Sequence, residues 1–338
     1  VRPQDPKLAR LLSERFIPVR FTSLKGVDLA RFSFDYDQTF MAMAQTAEGR
    51  TLFRWSSRDD DSEAINDLTK LLEKPWPASG KPESLAPPRT LRDDAQFAAT
   101  KRAGEACYHC HYAHDAEIAR QRSAGTFEKS QLFRFPPPET IGLTLDGAAS
   151  PRLRAVAPGS AAQKAGVRPG DVLVTVGGQR VHTAQDVRFA LDGINDAVAL
   201  TLERAGLRRS VSLALPGGWR VYDISDRPSQ GGVPPVLGIW EQPLKRREKR
   251  ALGIREGQLA LRISFLFPGE KWKPAQGELR LGDVVLEVDG VALPAMTPRQ
   301  FHTWIRLNRE VGHTLTLTVL RGGKRRKITV VGIDPGEL

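Results

Sequence analysis

The chain has 338 residues, 40% hydrophobic and 26% charged, with a net charge of +11, the balance of ordinary globular protein in roughly two to four units. No run approaches the roughly 18 apolar residues of a membrane helix. Two basic clusters, Lys245-Arg246-Arg247 with Lys249-Arg250 and Lys324-Arg325-Arg326-Lys327, carry no interleaved aromatic residues, so no nucleic-acid partner is expected, and at most a weak contact with an anionic membrane surface.

In chain order, "DPKLARLLSERF" predicts a short amphipathic helix and "IPVRFTS" a strand. "TFMAMAQTAEGRTLFRWSS" predicts two strands joined by a turn at Glu48-Gly49. "DSEAINDLTKLLEK" predicts a helix with Asp61 and Ser62 as cap candidates and Ile65, Leu68, Leu71 and Leu72 on one face. Helix, strand, hairpin, helix is the order of the C-terminal half of a thioredoxin-like domain, an order shared by several small α/β folds. Residues 76–100 read as a Pro-rich linker and residues 101–130 as helical.

From residue 140 the chain repeats itself. "VAPGSAAQKAGVRPGDVLVTVGGQRV" returns in degraded form as "FPGEKWKPAQGELRLGDVVLEVDGVAL", and "LTLERAGLRRSVSL" returns as "LTVLRGGKRRKITV". Each of the latter predicts a hairpin with a Gly-containing turn. These stretches, "APGSAAQKAGVRPGDVL" above all, resemble the bacterial PDZ domains attached to HtrA-type proteases. The resemblance implies an extended or C-terminal peptide added to an open sheet edge, with loop amides capturing a carboxylate. The implied peptide-binding residues are Ile141, Gly142, Leu143 and Thr144 in the first copy and Leu237, Gly238 and Ile239 in the second. Neither stretch matches the eukaryotic GLGF loop closely.

A Ser–His–Asp protease needs a histidine base. Residues 1–106 contain no histidine, no G-x-S-x-G stretch occurs, and His182, His302 and His313 fall inside the repeats. The sequence argues against proteolysis.

Both cysteines and three of the six histidines lie in "GEACYHCHYAH". C-x-x-C-H is the attachment signature of c-type haem. Cys107 and Cys110, one helical turn apart, would anchor the porphyrin, and His111 would ligate the iron. A dithiol/disulfide redox pair, a zinc site and a structural disulfide remain alternatives. His114, one turn further on, is placed as a bystander with His109.

Together, "RFIPVRFTSLKGVDLARFSFDYDQTF", "CYHCH", "FPPPETIGLTLD" and "VAPGSAAQKAGVRPGDVL" resemble a planctomycete-type family of thioredoxin-like, PDZ domain-containing (seleno)proteins. The resemblance implies a redox motif, with cysteine or selenocysteine, ahead of Val1. It also places Gln38 where thioredoxins carry a cis-proline. The expected architecture is multidomain, α/β plus mainly-β. It comprises an incomplete thioredoxin-like α/β domain (1–75), the linker (76–100), a short helical C-x-x-C-H segment (101–137), two PDZ domains (138–218 and 235–338) and a linker between them (219–234). The expected role is a non-proteolytic redox or electron-transfer adaptor of the bacterial envelope, periplasmic or exported. A thiol–disulfide oxidoreductase and a cofactor-free peptide-binding scaffold are the rival readings.

Overall fold

The computed structural model describes residues 5–57, 62–80, 87–98, 101–106, 108–334 and 336. The chain divides into two compact units, Val1–Tyr222 and Asp223–Leu338.

Helix α1 (Pro6–Arg15) starts at Asp5, whose carboxylate accepts the Leu8 N–H at 2.7 Å. Residues 17–23, expected as a strand, form none, and Ile17 and Val19 stand 92% and 70% exposed. The apolar alternation is real, but Pro18 removes a ladder donor and, among the described residues, no second strand pairs with the segment. Strands β1 (Phe40–Gln45) and β2 (Thr51–Ser57) pair as the expected antiparallel hairpin. Helix α2 (Ser62–Glu73) follows, with Asp61 outside the described residues. Leu71 and Leu72 of α2 pack with Leu8, Phe53 and Trp55 in one core, with Ile65 and Leu68 at its margin. The Arg15 guanidinium donates to the carbonyls of Leu72, Glu73 and Lys74 and so caps α2. Among the described residues this hairpin is the whole sheet of the N-terminal part.

The span read as a linker is tied down over its last third. Leu91 and Phe97, the latter on the short helix α3 (Ala95–Ala98), are each 1% exposed. They join Leu24, Leu29, Phe34 and Tyr36 in a second core. Helix α4 (Tyr112–Ser123) closes that core through Tyr112, Ala113 and Ala116. Residues 108–111 of the C-x-x-C-H motif are therefore not inside a helix. A 3-10 turn, Lys101–Gly104, ends before them, and α4 begins after them. Amides of Tyr112, Ala113 and His114 bond back three residues to His109, Cys110 and His111, which makes residues 109–111 the tightened entry to α4.

The first repeat comprises β3 (Leu143–Leu145), β4 (Leu153–Val156), α5 (Ala161–Lys164), β5 (Val172–Val176), β6 (Gln179–Arg180), α6 (Ala184–Asp192), β7 (Ala197–Arg204) and β8 (Leu207–Ala214). β3 pairs with β4, and a four-stranded sheet runs β6-β5-β7-β8. The second repeat comprises β9 (Ile239–Pro243), α7 (Arg246–Ala251), β10 (Leu261–Leu266), α8 (Lys273–Gln276), β11 (Val284–Val288), β12 (Val291–Ala292), α9 (Pro298–Asn308), β13 (Thr314–Arg321) and β14 (Lys324–Val331). Its strands run β14-β13-β11-β10-β9, with β12 beside β11. Both closing hairpins turn on two residues of positive φ, Ala205-Gly206 and Gly322-Gly323, the geometry that matches strand twist.

The repeats share a buried ion pair. Asp171 and Asp283 are each 1% exposed. Arg204 grips Asp171 through two nitrogens at 2.6 and 2.8 Å, and Arg321 grips Asp283 at 2.7 and 2.6 Å. Each carboxylate also accepts an amide three residues back, from Arg168 and Arg280, at 2.9 Å. The grip draws the Asp171 carboxyl below its ordinary range.

The basic cluster on α7 is partly internal: Lys249 is buried and donates to the Glu256 and Gln258 carbonyls. No helix among the described residues is long and apolar enough to cross a membrane.

Candidate functional site

Cys107 lies outside the described residues. The segment that follows it is pinned at Tyr108, whose N–H donates to the Ser23 hydroxyl at 2.9 Å and whose carbonyl accepts the Leu24 N–H at 3.0 Å. Cys110 is half-buried against the second core, and burial pushes its thiol up.

His111 occupies the N-cap position of α4. Its Nδ1 lies 3.0 Å from Asp115 Oδ2, one turn on, and the same oxygen pairs with the Arg102 guanidinium. An Nδ1–H given to a carboxylate fixes ring and tautomer and leaves the lone pair on Nε2, the usual arrangement for a ligating imidazole. The His111 ring stands edge-on to Tyr112 at 4.9 Å.

His114 is set apart from this. It is buried, its Nε2 accepts the Tyr36 N–H at 3.2 Å, and the same nitrogen lies 3.5 Å from Asp35 Oδ1. Asp35, Asp37 and His114 form the one group among the described residues close enough to share a metal ion. Its polar atoms are already engaged: Gln38 donates to Asp35 Oδ2 at 2.9 Å and Arg188 stands 3.8 Å away. A cavity of about 100 Å³ adjoins His114, lined in part by Tyr36, Arg89, Glu117, Arg134 and Phe135. It is below the roughly 300 Å³ of ordinary cofactor pockets.

For a c-type haem, the donor set that the described residues offer is the Cys110 thiol and the His111 Nε2. Both chemistries fit covalent attachment and iron ligation. The 100 Å³ cavity is not lined by either residue.

In the first repeat, Ile141 and Leu143 are buried, Thr144 is half-buried, and Gly142 is left-handed at φ +89°. A Cβ on Gly142 would fall 2.2 Å from Ser160. The Gly142 N–H bonds back to the Glu139 carbonyl and the Thr140 N–H to that of Pro137, both at 3.0 Å. These loop amides are therefore used internally. In the second repeat, Leu237 and Ile239 are buried around Gly238, at φ +61°, where a Cβ would fall 2.5 Å from the Trp272 ring.

Three groove residues of the second repeat went unassigned from sequence. β9 is an edge strand with Trp240 44% exposed. The Trp240 ring stacks on that of His302 on α9, 5.7 Å away and 9° from parallel. His302 Nε2 lies 3.0 Å from Oε2 of Glu241, a carboxylate 1% exposed whose other oxygen is buried with no hydrogen-bond partner among the described residues. An alternating Ile-Trp-Glu facing a helical histidine is the signal that could have marked them.

Comparison with known proteins bears on the repeats. PDZ-domain family models match residues 152–204 and 270–331. The chain carries two PDZ domains, and peptide binding is the function they suggest. Among solved structures, a photosystem II C-terminal processing protease is 37% identical over 22% of each chain, at a TM-score of 0.20. The HtrA-type protease AlgW with decapeptide is 15% identical, over 57% of this chain and 62% of that one, at 0.27. The same protease with tripeptide is 15% identical over 57% and 67%, at 0.29. The chain thus spans about a fifth of the first of these and about three fifths of the second.

Proposed function

We propose that the protein is a non-proteolytic, peptide-binding adaptor of the bacterial envelope, periplasmic or exported. The observation that carries this reading is the edge strand β9 beside α9, with its loop at Leu237-Gly238-Ile239. A free strand edge presents unpaired amides and carbonyls to an extended peptide. The intact chain, immobilised and offered a display library of random decapeptides, is expected to enrich binders over a bare support. A library that emerges unenriched would remove the reading.

A second reading, supported by the His111–Asp115 geometry, adds c-type haem to the motif. Cys107 and Cys110 would hold it covalently, and His111 Nε2 would ligate its iron. When bound it would supply one-electron transfer. Asp115 would hold the imidazole in register, and Arg102 would balance the carboxylate charge. Haem c is attached outside the cytoplasm, so the envelope location rests on this second reading. Of the order expected for the C-terminal half of a thioredoxin-like domain in residues 1–75, the helix, the β1–β2 hairpin and α2 support that reading, and the strand at 17–23 does not.

Expression in a host with haem-c maturation is expected to yield a Soret band that survives denaturation. The Cys107→Ala/Cys110→Ala variant should lose it. A wild-type protein without the band sinks the haem reading and leaves the peptide reading standing.

A further inference from the structure

The two PDZ grooves are not equivalent, and the difference lies at the start of the helix beside each. Thr183 and Thr297 cap α6 and α9, each accepting an amide three residues on. Counting five residues from each cap aligns Arg188 with His302. In the second domain that position faces β9 of its own domain, through Glu241. In the first it faces the N-terminal part of the chain, where Arg188 Nη2 lies 3.8 Å from Asp35 Oδ2.

The rest of the α6 entrance is held from the same side. The Arg54 N–H, on β2, donates to Asp186 Oδ1 at 2.9 Å, and the Thr183 hydroxyl donates to the Arg54 carbonyl. The Arg54 guanidinium covers the Phe189 ring at 3.7 Å, and the Trp76 ring meets His182 edge-on at 4.8 Å. Opposite, the turn after β3 is drawn in as well: Ala149 packs into the core of α1, β2 and α2, and the Ala148 carbonyl accepts the Ala184 N–H at 2.9 Å. A peptide lying antiparallel to β3 from the Gly142 loop would leave the groove between this turn and the α6 entrance.

Resting on the peptide-binding reading, we propose that the first PDZ groove is stopped in cis at its exit by β2 and Asp35, and that the second is the groove that takes a partner. The partner is an extended peptide that is acidic ahead of the segment paired with β9. β9 runs directly into Lys245, Arg246, Arg247 and Arg250, all exposed. A strand antiparallel to β9 brings its N-terminal residues beside them, and opposite charge favours that register. Trp240 offers the apolar surface for the central side chain.

The test uses decapeptides that the intact chain enriches from the random library. They are expected to be rich in Asp and Glu ahead of an apolar residue, and to bind at least tenfold more weakly at 0.5 M salt than at 0.05 M (about a tenfold salt effect being ordinary for such steering). Bound peptide should slow hydrogen exchange in residues 239–243 and 298–308 and leave 143–145 and 184–192 unchanged. Trp240→Ala, at an exposed position, should weaken binding at least about tenfold. Protection of 143–145 with 184–192 in the intact chain overturns the cis stop while keeping peptide binding. Undiminished binding by Trp240→Ala overturns the assignment to the second groove, and neutral or basic enriched sequences overturn the acidic partner. An unenriched library overturns the inference together with the reading it rests on.

Discussion

Asp171→Ala is expected to lower the stability of the first unit by about 3 kcal/mol, read as a shift of its urea midpoint at unchanged slope. The carboxylate is 1% exposed and takes two nitrogens of Arg204 and one backbone amide. Removing it leaves the Arg168 N–H without its acceptor and the half-covered Arg204 guanidinium with only the Gly166 carbonyl, and loss of one partner is what makes a buried pair costly to break. Asp171→Asn keeps an acceptor for the amide and should cost about half as much. Asp283→Ala should act on the second unit in the same way, because Arg321 and Arg280 repeat the arrangement. The pH dependence has a definite sign. The Arg204 hydrogen bonds hold the folded-state pKa of Asp171 down. Its contribution is therefore complete above the usual carboxylate range and is lost as pH falls through the lower, folded value. Midpoints of Asp171→Ala equal to wild type would show that the pair is ornamental.

Asp186→Asn and His182→Gln are expected to push the pH profile of the first unit in opposite directions between pH 4 and 6.5. Burial raises Asp186 to about 6, against the N–H groups of Arg54 and His182 that favour its charged form. Burial lowers His182 to about 4, helped by the charges of Lys74 and Arg180. Asp186 is unfolded near 3.9, so its protonation stabilises the fold as pH drops from 6 toward 4, by about 2 kcal/mol. His182 is unfolded near 6.5 and resists protonation when folded, so acid destabilises across much the same window. Solvent screening of this less buried ring reduces that term to about 1 kcal/mol. In the wild type the two trends oppose. Asp186→Asn should uncover the fall in acid, and His182→Gln should steepen the rise. Urea midpoints at half-unit pH intervals test it, and parallel profiles in the two variants would falsify it.

The repeats were legible because their signals are local. Gly170-Asp171 and Gly282-Asp283 mark the turn before a buried strand, and hairpin alternation marks β7–β8 and β13–β14 without reference to the rest of the chain. The pairing of Asp171 with Arg204 spans 33 residues and leaves no periodic trace. Residues 17–23 show the converse: strand composition predicts a strand only where a partner edge exists. In the motif, residue spacing identified His111 as a ligand candidate. Asp115, the residue that orients it, was not marked, because an acid one turn into a helix is also ordinary dipole chemistry. His114 read as a bystander to ligation; its contact with the Asp35 loop depends on residues 78 positions away and left no local signal.

That group bears on how freely the parts can be exchanged. Asp35 meets His114 from the helix of the cysteine motif and Arg188 from the first PDZ domain, while Asp186 receives the Arg54 amide. A foreign PDZ domain grafted over residues 138–218 would bring neither Arg188 nor Asp186, and the loop at Asp35 would lose a cation. The first PDZ domain is thus a fitted part, cut to one housing. In recombination among related chains, everything from α1 to Tyr222 is expected to travel as a single heritable block.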